Sequence, residues 1–119
     1  QMYSADPDIY LHRELLIRSL QERDVDLITI SSHEGKLTES ESTLDENCFP
    51  SLGEKPRARK FRTNKPVILI TARVHPGETP ASHTMNGILE FILDKKFFKE
   101  NKLIYHSNKK DVRDQLLKN

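Results

Sequence analysis

Several features that would mark a secreted, membrane or nucleic-acid-binding protein are scarce in this sequence. Among its 119 residues there is no tryptophan, and 35% are hydrophobic against 31% charged, which is little apolar material for a self-sufficient core. Basic residues number 19 and acidic residues 18, so the near-zero net charge gives no reason to expect a nucleic acid or an anionic membrane as partner. The thin apolar content indicates part of a larger domain.

Cysteines and long apolar runs are scarce as well. The single cysteine, Cys48, cannot form an internal disulfide, which favours a reducing compartment and an unreactive thiol. No cationic stretch followed by an apolar run opens the chain as in a secretory signal. The longest apolar runs, residues 67–70 and 88–93, fall far short of the about 20 residues that span a bilayer. We therefore expect a soluble, cytoplasmic protein.

The first third of the chain predicts a helix followed by a strand. Asp6 and Pro7 are typical of a helix start, and apolar residues at helical spacing extend the predicted helix to about Glu22. Residues 25–30 are rich in β-branched side chains and predict a strand, which Gly35 then interrupts.

Two charged segments have a different character. Residues 36–64 predict a long polar loop, acidic and serine-rich at 38–47 and basic at 55–65. A solvated loop is the usual explanation of such charge blocks, and a basic patch for an acidic ligand is the alternative. Residues 95–110 predict a lysine-rich insertion, followed by a short helical pattern at 111–117.

Between these segments lies the strongest pattern in the chain. Residues 67–70 are uninterrupted Val-Ile-Leu-Ile, which predicts a central strand covered on both faces of a mixed or parallel sheet. His75-Pro76-Gly77-Glu78 follows, and Thr79 with Pro80 predicts the start of a second helix. The apolar positions of that helix keep the helical spacing without a gap: Ala81, Met85, Ile88, Leu89, Ile92 and Leu93.

His75 and Glu78 could together bind a metal. A strand that ends in a tight turn before a helix places the side chains of that turn at the carboxyl edge of the sheet, where open α/β sheets bind ligands. Two histidines and one glutamate form a common catalytic zinc site, and this pair would supply two of those ligands. The alternative is a surface histidine beside a glutamate that the helix dipole stabilises.

The residues around this pair carry a family resemblance. The segment at 72–82, Ala-Arg-Val-His-Pro-Gly-Glu-Thr-Pro-Ala-Ser, resembles the zinc-binding signature of the cytosolic carboxypeptidases of the M14 family. Three further blocks, at residues 9–16, 25–30 and 86–93, resemble family blocks in the same order. The sequence is most similar to the branch of tubulin deglutamylases that remove branch-point glutamates.

The resemblance implies a fold, a cofactor and a reaction. It implies the front portion of an α/β/α sandwich around a mixed sheet, incomplete over residues 1–119, with His75 and Glu78 as ligands of Zn²⁺. The family's third ligand histidine, its substrate-binding asparagine and arginine and its general-base glutamate come further along, and none of their motifs is present. We expect a zinc metallocarboxypeptidase that removes C-terminal or branch-point glutamates from acidic protein tails such as those of tubulin, inactive as this chain alone and with no catalytic residue in it.

Two other interpretations compete with an incomplete enzyme. One is a non-enzymatic short product that binds acidic protein tails through residues 55–65, and the other is a chance resemblance in a structural protein. Two further residues lie near this pair. His83 is a weak candidate for the third ligand because it lies on the helix that follows. Arg73 could orient an acidic peptide or pair with a structural carboxylate.

Overall fold

The structure, a computed structural model, contains two antiparallel sheets and one helix in the residues it describes. The described residues are 7–43, 45, 47–50, 56–62 and 65–93. The chain divides into two compact units, one of Asp8–Lys65 and one that combines residues 1–7 with 66–119. All four strands lie in the unit of Asp8–Lys65, and the helix lies in the other.

The first sheet is a long hairpin of strands β1, Ile9–Arg18, and β2, Asp24–Ser32. The strands are antiparallel, with Ile9 opposite Ser32 and Arg18 opposite Asp24. In the turn, the amides of Gln21 and Arg23 both donate to the Ser19 hydroxyl, at 3.3 and 3.2 Å. A serine that satisfies turn amides in this way favours a reversal of the chain. The predicted strand at 25–30 is confirmed, since it lies within β2.

The predicted helix from Asp6 to Glu22 is wrong over Ile9–Arg18, which forms β1; Asp6 lies outside the described residues. Among the apolar residues of this segment, Ile9, Leu11 and Leu15 lie at even spacings, so they also share one face of a strand. Pairing with β2 along the whole strand outweighs a weak helical propensity. The physical cause of the error is therefore a tertiary contact that local spacing does not reveal.

A second, smaller sheet pairs β3, Lys36–Ser40, with β4, Arg59–Phe61. The two strands are antiparallel, with Lys36 opposite Phe61. They lie at the two ends of the segment predicted as a polar loop, and the described residues between them have no helix or strand. Gly35 turns the chain between β2 and β3 with a φ of 71°, as its predicted role as a breaker requires.

Strand β4, together with the segment that leads to it from β3, covers one face of the hairpin. The Phe49 amide donates to the Leu16 carbonyl at 2.7 Å, and the Arg59 amide donates to the Tyr10 hydroxyl at 2.8 Å. The Tyr10 ring meets Phe61 edge-on, with ring centroids 5.5 Å apart. The buried hydrophobic side chains of this unit are Ile9, Phe49 and Ala58, so its described core lies between the hairpin and this segment.

In the other unit, the predicted central strand at 67–70 does not form. These residues are described without strand structure, and their side chains are between 51% and 91% exposed. No neighbouring strand supplies backbone hydrogen bonds to them among the described residues. A strand of a buried sheet needs such a partner on each side, and its absence from the described residues accounts for the exposed run.

The predicted second helix is confirmed as α1, Thr79–Leu93. Its predicted apolar positions are half-buried and Leu93 is buried, whereas Thr84, Asn86 and Glu90 are exposed. No helix in the described part of the chain is long and apolar enough to cross a membrane. The predicted insertion at 95–110 and the helical pattern at 111–117 lie outside the described residues.

Two glycine substitutions should change stability in opposite directions. Alanine at Gly35 would keep ordinary contact, with Arg62 Cγ 3.6 Å away, but the left-handed backbone should cost about 1 kcal/mol. Alanine at Gly87, inside α1 and with nothing within 4 Å, should stabilise the helix by about 0.5–1 kcal/mol. Urea unfolding of the two variants checks this, and shifts of the same sign would contradict it.

Candidate metal centre

The candidate site is built on the tight turn that precedes α1. The Glu78 amide donates to the His75 carbonyl at 3.2 Å, and the Thr79 amide donates to the Gly77 carbonyl at 2.9 Å. The Ala81 amide donates to the Glu78 carbonyl at 3.1 Å, which begins the helix. This sequence of bonds folds the chain back, so that residues 75 and 78 project from the same turn.

The side chains of His75 and Glu78 meet directly. His75 Nδ1 lies 2.8 Å from Glu78 Oε1, and the other carboxylate oxygen lies 3.5 Å from the His75 amide. The two side chains are 76% and 50% exposed, so an ion can reach them from solvent. The structure thus brings together the two residues that the sequence singled out, and their role as zinc ligands stays a prediction.

The distance between the two donor atoms can be compared with what zinc needs. Ligand distances of about 2.0–2.2 Å in tetrahedral geometry place two donors about 3.3–3.5 Å apart. The pair at 2.8 Å would therefore have to open by roughly half an ångström, which two exposed side chains can do. An imidazole nitrogen and a carboxylate oxygen are also ligands that zinc prefers, so the pair fits two positions of such a site.

The same geometry also suits a hydrogen-bonded pair without metal. Glu78 lies directly before the first residue of α1, where the helix dipole stabilises a negative charge. Within the described residues, no group of three or more His, Cys, Asp or Glu side chains converges on a metal position. His83, the weak candidate for a third ligand, is exposed on α1 and completes no such group.

Arg73 contacts the turn in a way that the sequence did not reveal. One guanidinium nitrogen donates to the Pro76 carbonyl at 2.7 Å, and another donates to the Ser82 hydroxyl at 3.3 Å. Neither partner is an acidic peptide or a carboxylate, the two partners expected from sequence. An arginine two residues before the histidine was the available signal, but its left-handed backbone, with a φ of 60°, cannot be read from residue type.

The basic run at 55–65 bears on the alternative of a tail-binding module. Apart from the exposed Arg62, its described cations have partners within their own unit: Arg57 with Glu14, Arg59 with the Thr38 carbonyl, Lys60 with Glu39 and Lys65 with Ser32. The bond between Lys60 and Glu39 is long, at 3.4 Å, and exposed, and such pairs contribute little. The Arg57 pair is buried, so an acidic ligand could not use that cation without breaking the fold.

Comparison with known proteins identifies the class of this chain. The family model described as zinc carboxypeptidase matches residues 4–108, which includes the whole unit of Asp8–Lys65, most of the other unit and the turn with His75 and Glu78. The chain therefore belongs to the zinc carboxypeptidase family, a family of hydrolases. This result confirms the resemblance noted in the sequence and agrees with a small α/β structure.

Individual relatives narrow the likeness to the cytosolic carboxypeptidases. The chain is 50% identical over 93 residues to cytosolic carboxypeptidase-like protein 5 of Danio rerio, covering 78% of this chain and 10% of that protein. It is 51% identical over 85 residues to the Mus musculus protein of the same name, covering 71% and 9%. Cytosolic carboxypeptidase 6 of Caenorhabditis elegans is 40% identical over 86 residues, covering 72% and 14%. The chain thus spans about a tenth of the length of these relatives.

Proposed function

We propose that this chain supplies two of the three zinc ligands of a zinc metallocarboxypeptidase. The observation that carries the proposal is the 2.8 Å contact between His75 Nδ1 and Glu78 Oε1 in a chain that belongs to the zinc carboxypeptidase family. His75 would bind through Nδ1, the ring nitrogen that faces the carboxylate, and Glu78 through its exposed carboxylate. A bound zinc ion polarises a scissile carbonyl and lowers the pKa of water.

In this proposal the chain's own residues place the ion and leave it accessible. The Pro-Gly turn holds the imidazole and the carboxylate on the same side, and their exposure leaves room for a third ligand, water and substrate. The exposed apolar run at 67–70 becomes the central strand of the family's α/β/α sandwich when neighbouring strands cover it. That strand would then set the turn at the carboxyl edge of the sheet.

The proposed substrates are acidic protein tails, tubulin among them, from which C-terminal or branch-point glutamates are removed in the cytoplasm. Support comes from the sequence resemblance to the deglutamylase branch and from relatives named as cytosolic carboxypeptidases. The resemblance places the family's general base and carboxylate-binding arginine outside residues 1–119, so we expect this chain to bind zinc weakly and to show no hydrolysis by itself.

Zinc titration of the purified chain tests the ligand assignment. Competition with a chromophoric chelator should show weak Zn²⁺ binding that His75→Ala lowers by at least about a hundredfold, since even residues behind the ligands contribute 10–100-fold. His83→Ala is the matched control, because it removes an exposed histidine from the same unit and should leave binding unchanged. Equal losses from both substitutions would show that binding is not specific to the turn.

A further inference from the structure

Arg73 has a backbone conformation that its residue type disfavours. Its φ of 60° lies in the left-handed region, where an L-residue brings Cβ close to the following carbonyl oxygen. Such conformations persist only where the surrounding structure holds them, and they concentrate at functional sites. Arg73 lies two residues before His75, and the contacts of its side chain hold this conformation beside the proposed ligand.

The guanidinium of Arg73 connects the turn with α1. Its bond of 2.7 Å to the Pro76 carbonyl joins it to the residue between the two proposed ligands. Its bond of 3.3 Å to the Ser82 hydroxyl joins it to the first turn of α1. The two bonds come from different nitrogens of one planar guanidinium. Arg73 therefore attaches the turn to the helix at two positions.

The described backbone bonds of the turn are accepted by the carbonyls of His75, Gly77 and Glu78 and not by that of Pro76. Pro76 has no amide hydrogen to donate, and Gly77 has no side chain, with open space where its Cβ would lie. The described hydrogen bond to the Pro76 carbonyl comes from Arg73. A peptide between two ligands that can rotate freely would let their side chains drift apart, which weakens a metal site.

We propose that Arg73 is a positioning residue, which holds His75 and Glu78 in ligating geometry through the Pro76 carbonyl and the Ser82 hydroxyl. The inference rests on the proposed zinc site, which it deepens by adding a residue that supports the ligands without touching the ion. Lysine cannot replace it fully, because a single ammonium lacks the fork that reaches two acceptors at fixed separation.

The first test uses the metal-free chain and does not depend on zinc. Amide hydrogen exchange measured by NMR should become faster at Glu78, Thr79 and Ala81 in Arg73→Gln, because their bonds define the turn. Arg62→Gln is the matched control, since it removes an exposed arginine from the other unit. Unchanged exchange in Arg73→Gln would overturn the inference.

The second test adds zinc and separates positioning from stability. Arg73→Gln should weaken Zn²⁺ binding about tenfold or more, the effect of removing a residue that supports a ligand, and Arg73→Lys should recover part of the loss. Arg73→Gly should relieve the backbone strain and unfold no more easily than the unsubstituted chain, yet it should bind zinc as weakly as Arg73→Gln. A glycine variant with full zinc affinity would overturn the inference.

The two tests also distinguish this inference from the proposed function. If the unsubstituted chain binds zinc no better than His75→Ala, the proposed zinc site is wrong, and the exchange rates still decide whether Arg73 holds the turn. If the unsubstituted chain binds zinc and every Arg73 variant binds it equally well, the zinc site stands and the role of Arg73 is wrong.

Discussion

Replacing Glu78 by glutamine is expected to remove carboxypeptidase activity from a chimera built on the mouse relative. In this chimera, residues 9–94 of the chain replace the matching segment of cytosolic carboxypeptidase-like protein 5, to which the chain is 51% identical over 85 residues. Glutamine keeps the shape of the side chain but loses the negative charge that makes a carboxylate a strong zinc ligand. The rate of glutamate release should fall by at least about a hundredfold, together with the bound zinc.

Three measurements on the chimera make this result decisive. The unsubstituted chimera should release glutamate from a peptide that ends in several glutamates, and His83→Gln should release it equally fast. An E78Q chimera with full activity would contradict the ligand role of Glu78. An unsubstituted chimera that folds but holds no zinc would contradict the proposal that this segment supplies two of the zinc ligands.

Replacing Glu14 by alanine is expected to destabilise the unit of Asp8–Lys65 by about 3–5 kcal/mol. Arg57 Nε donates to Glu14 Oε2 at 2.8 Å, and the two side chains are only 9% and 10% exposed. A second Arg57 nitrogen donates to the Ser42 carbonyl at 2.8 Å, and the guanidinium lies 3.3 Å from the centre of the Phe49 ring. Without Glu14, this buried cation would lose the carboxylate that balances its charge among the described residues.

Such a loss is large beside the about 5–15 kcal/mol that stabilises a typical domain. Urea unfolding followed by NMR signals of β1 and β2 measures it. Arg13→Ala is the matched control, because Arg13 makes two hydrogen bonds to Asp26, at 3.0 and 2.8 Å, on an exposed surface. These bonds raise the pKa of Arg13, but an exposed pair contributes at most about 1 kcal/mol. Equal effects of the two substitutions would contradict the importance of burial.

A double substitution separates the lost charge balance from lost packing. Glu14→Leu combined with Arg57→Met replaces the buried pair by apolar groups of similar size, which is often neutral or stabilising in proteins. We expect the double variant to recover most of the stability lost in Glu14→Ala. A double variant as unstable as the single one would show that the ion pair itself, and not an unbalanced charge, decides the stability.

Parts of the fold that depend on local sequence were predictable. The strand at 25–30 was predictable from its β-branched residues and from Gly35, which turns the chain after the strand with a φ of 71°. Helix α1 was predictable because its apolar residues recur every three or four positions, which places them on one face of a helix but on both faces of a strand. The helix predicted over β1 was wrong because its apolar residues fit both a helical spacing and the alternation of a strand. Pairing with β2 stabilises the strand.

The site shows the same division between local and distant contacts. His75 and Glu78 are three residues apart, so a single turn determines their contact and the sequence was enough to find them. The buried pair of Glu14 and Arg57 is 43 residues apart in sequence, and no pattern of spacing indicates that it forms. The proposed role of Arg73 depends on two bonds of its guanidinium, to the Pro76 carbonyl and the Ser82 hydroxyl, which residue type alone does not specify.

The most direct test of the metal centre is anomalous X-ray diffraction at the zinc absorption edge, from crystals of the chain grown with Zn²⁺. We predict one anomalous peak at the turn of residues 75–78, about 2.0–2.2 Å from both His75 Nδ1 and a carboxylate oxygen of Glu78. The two donor atoms should then lie farther apart than the 2.8 Å of the metal-free pair. Zinc bound elsewhere in the chain, with the contact between His75 and Glu78 unchanged, would contradict the assignment.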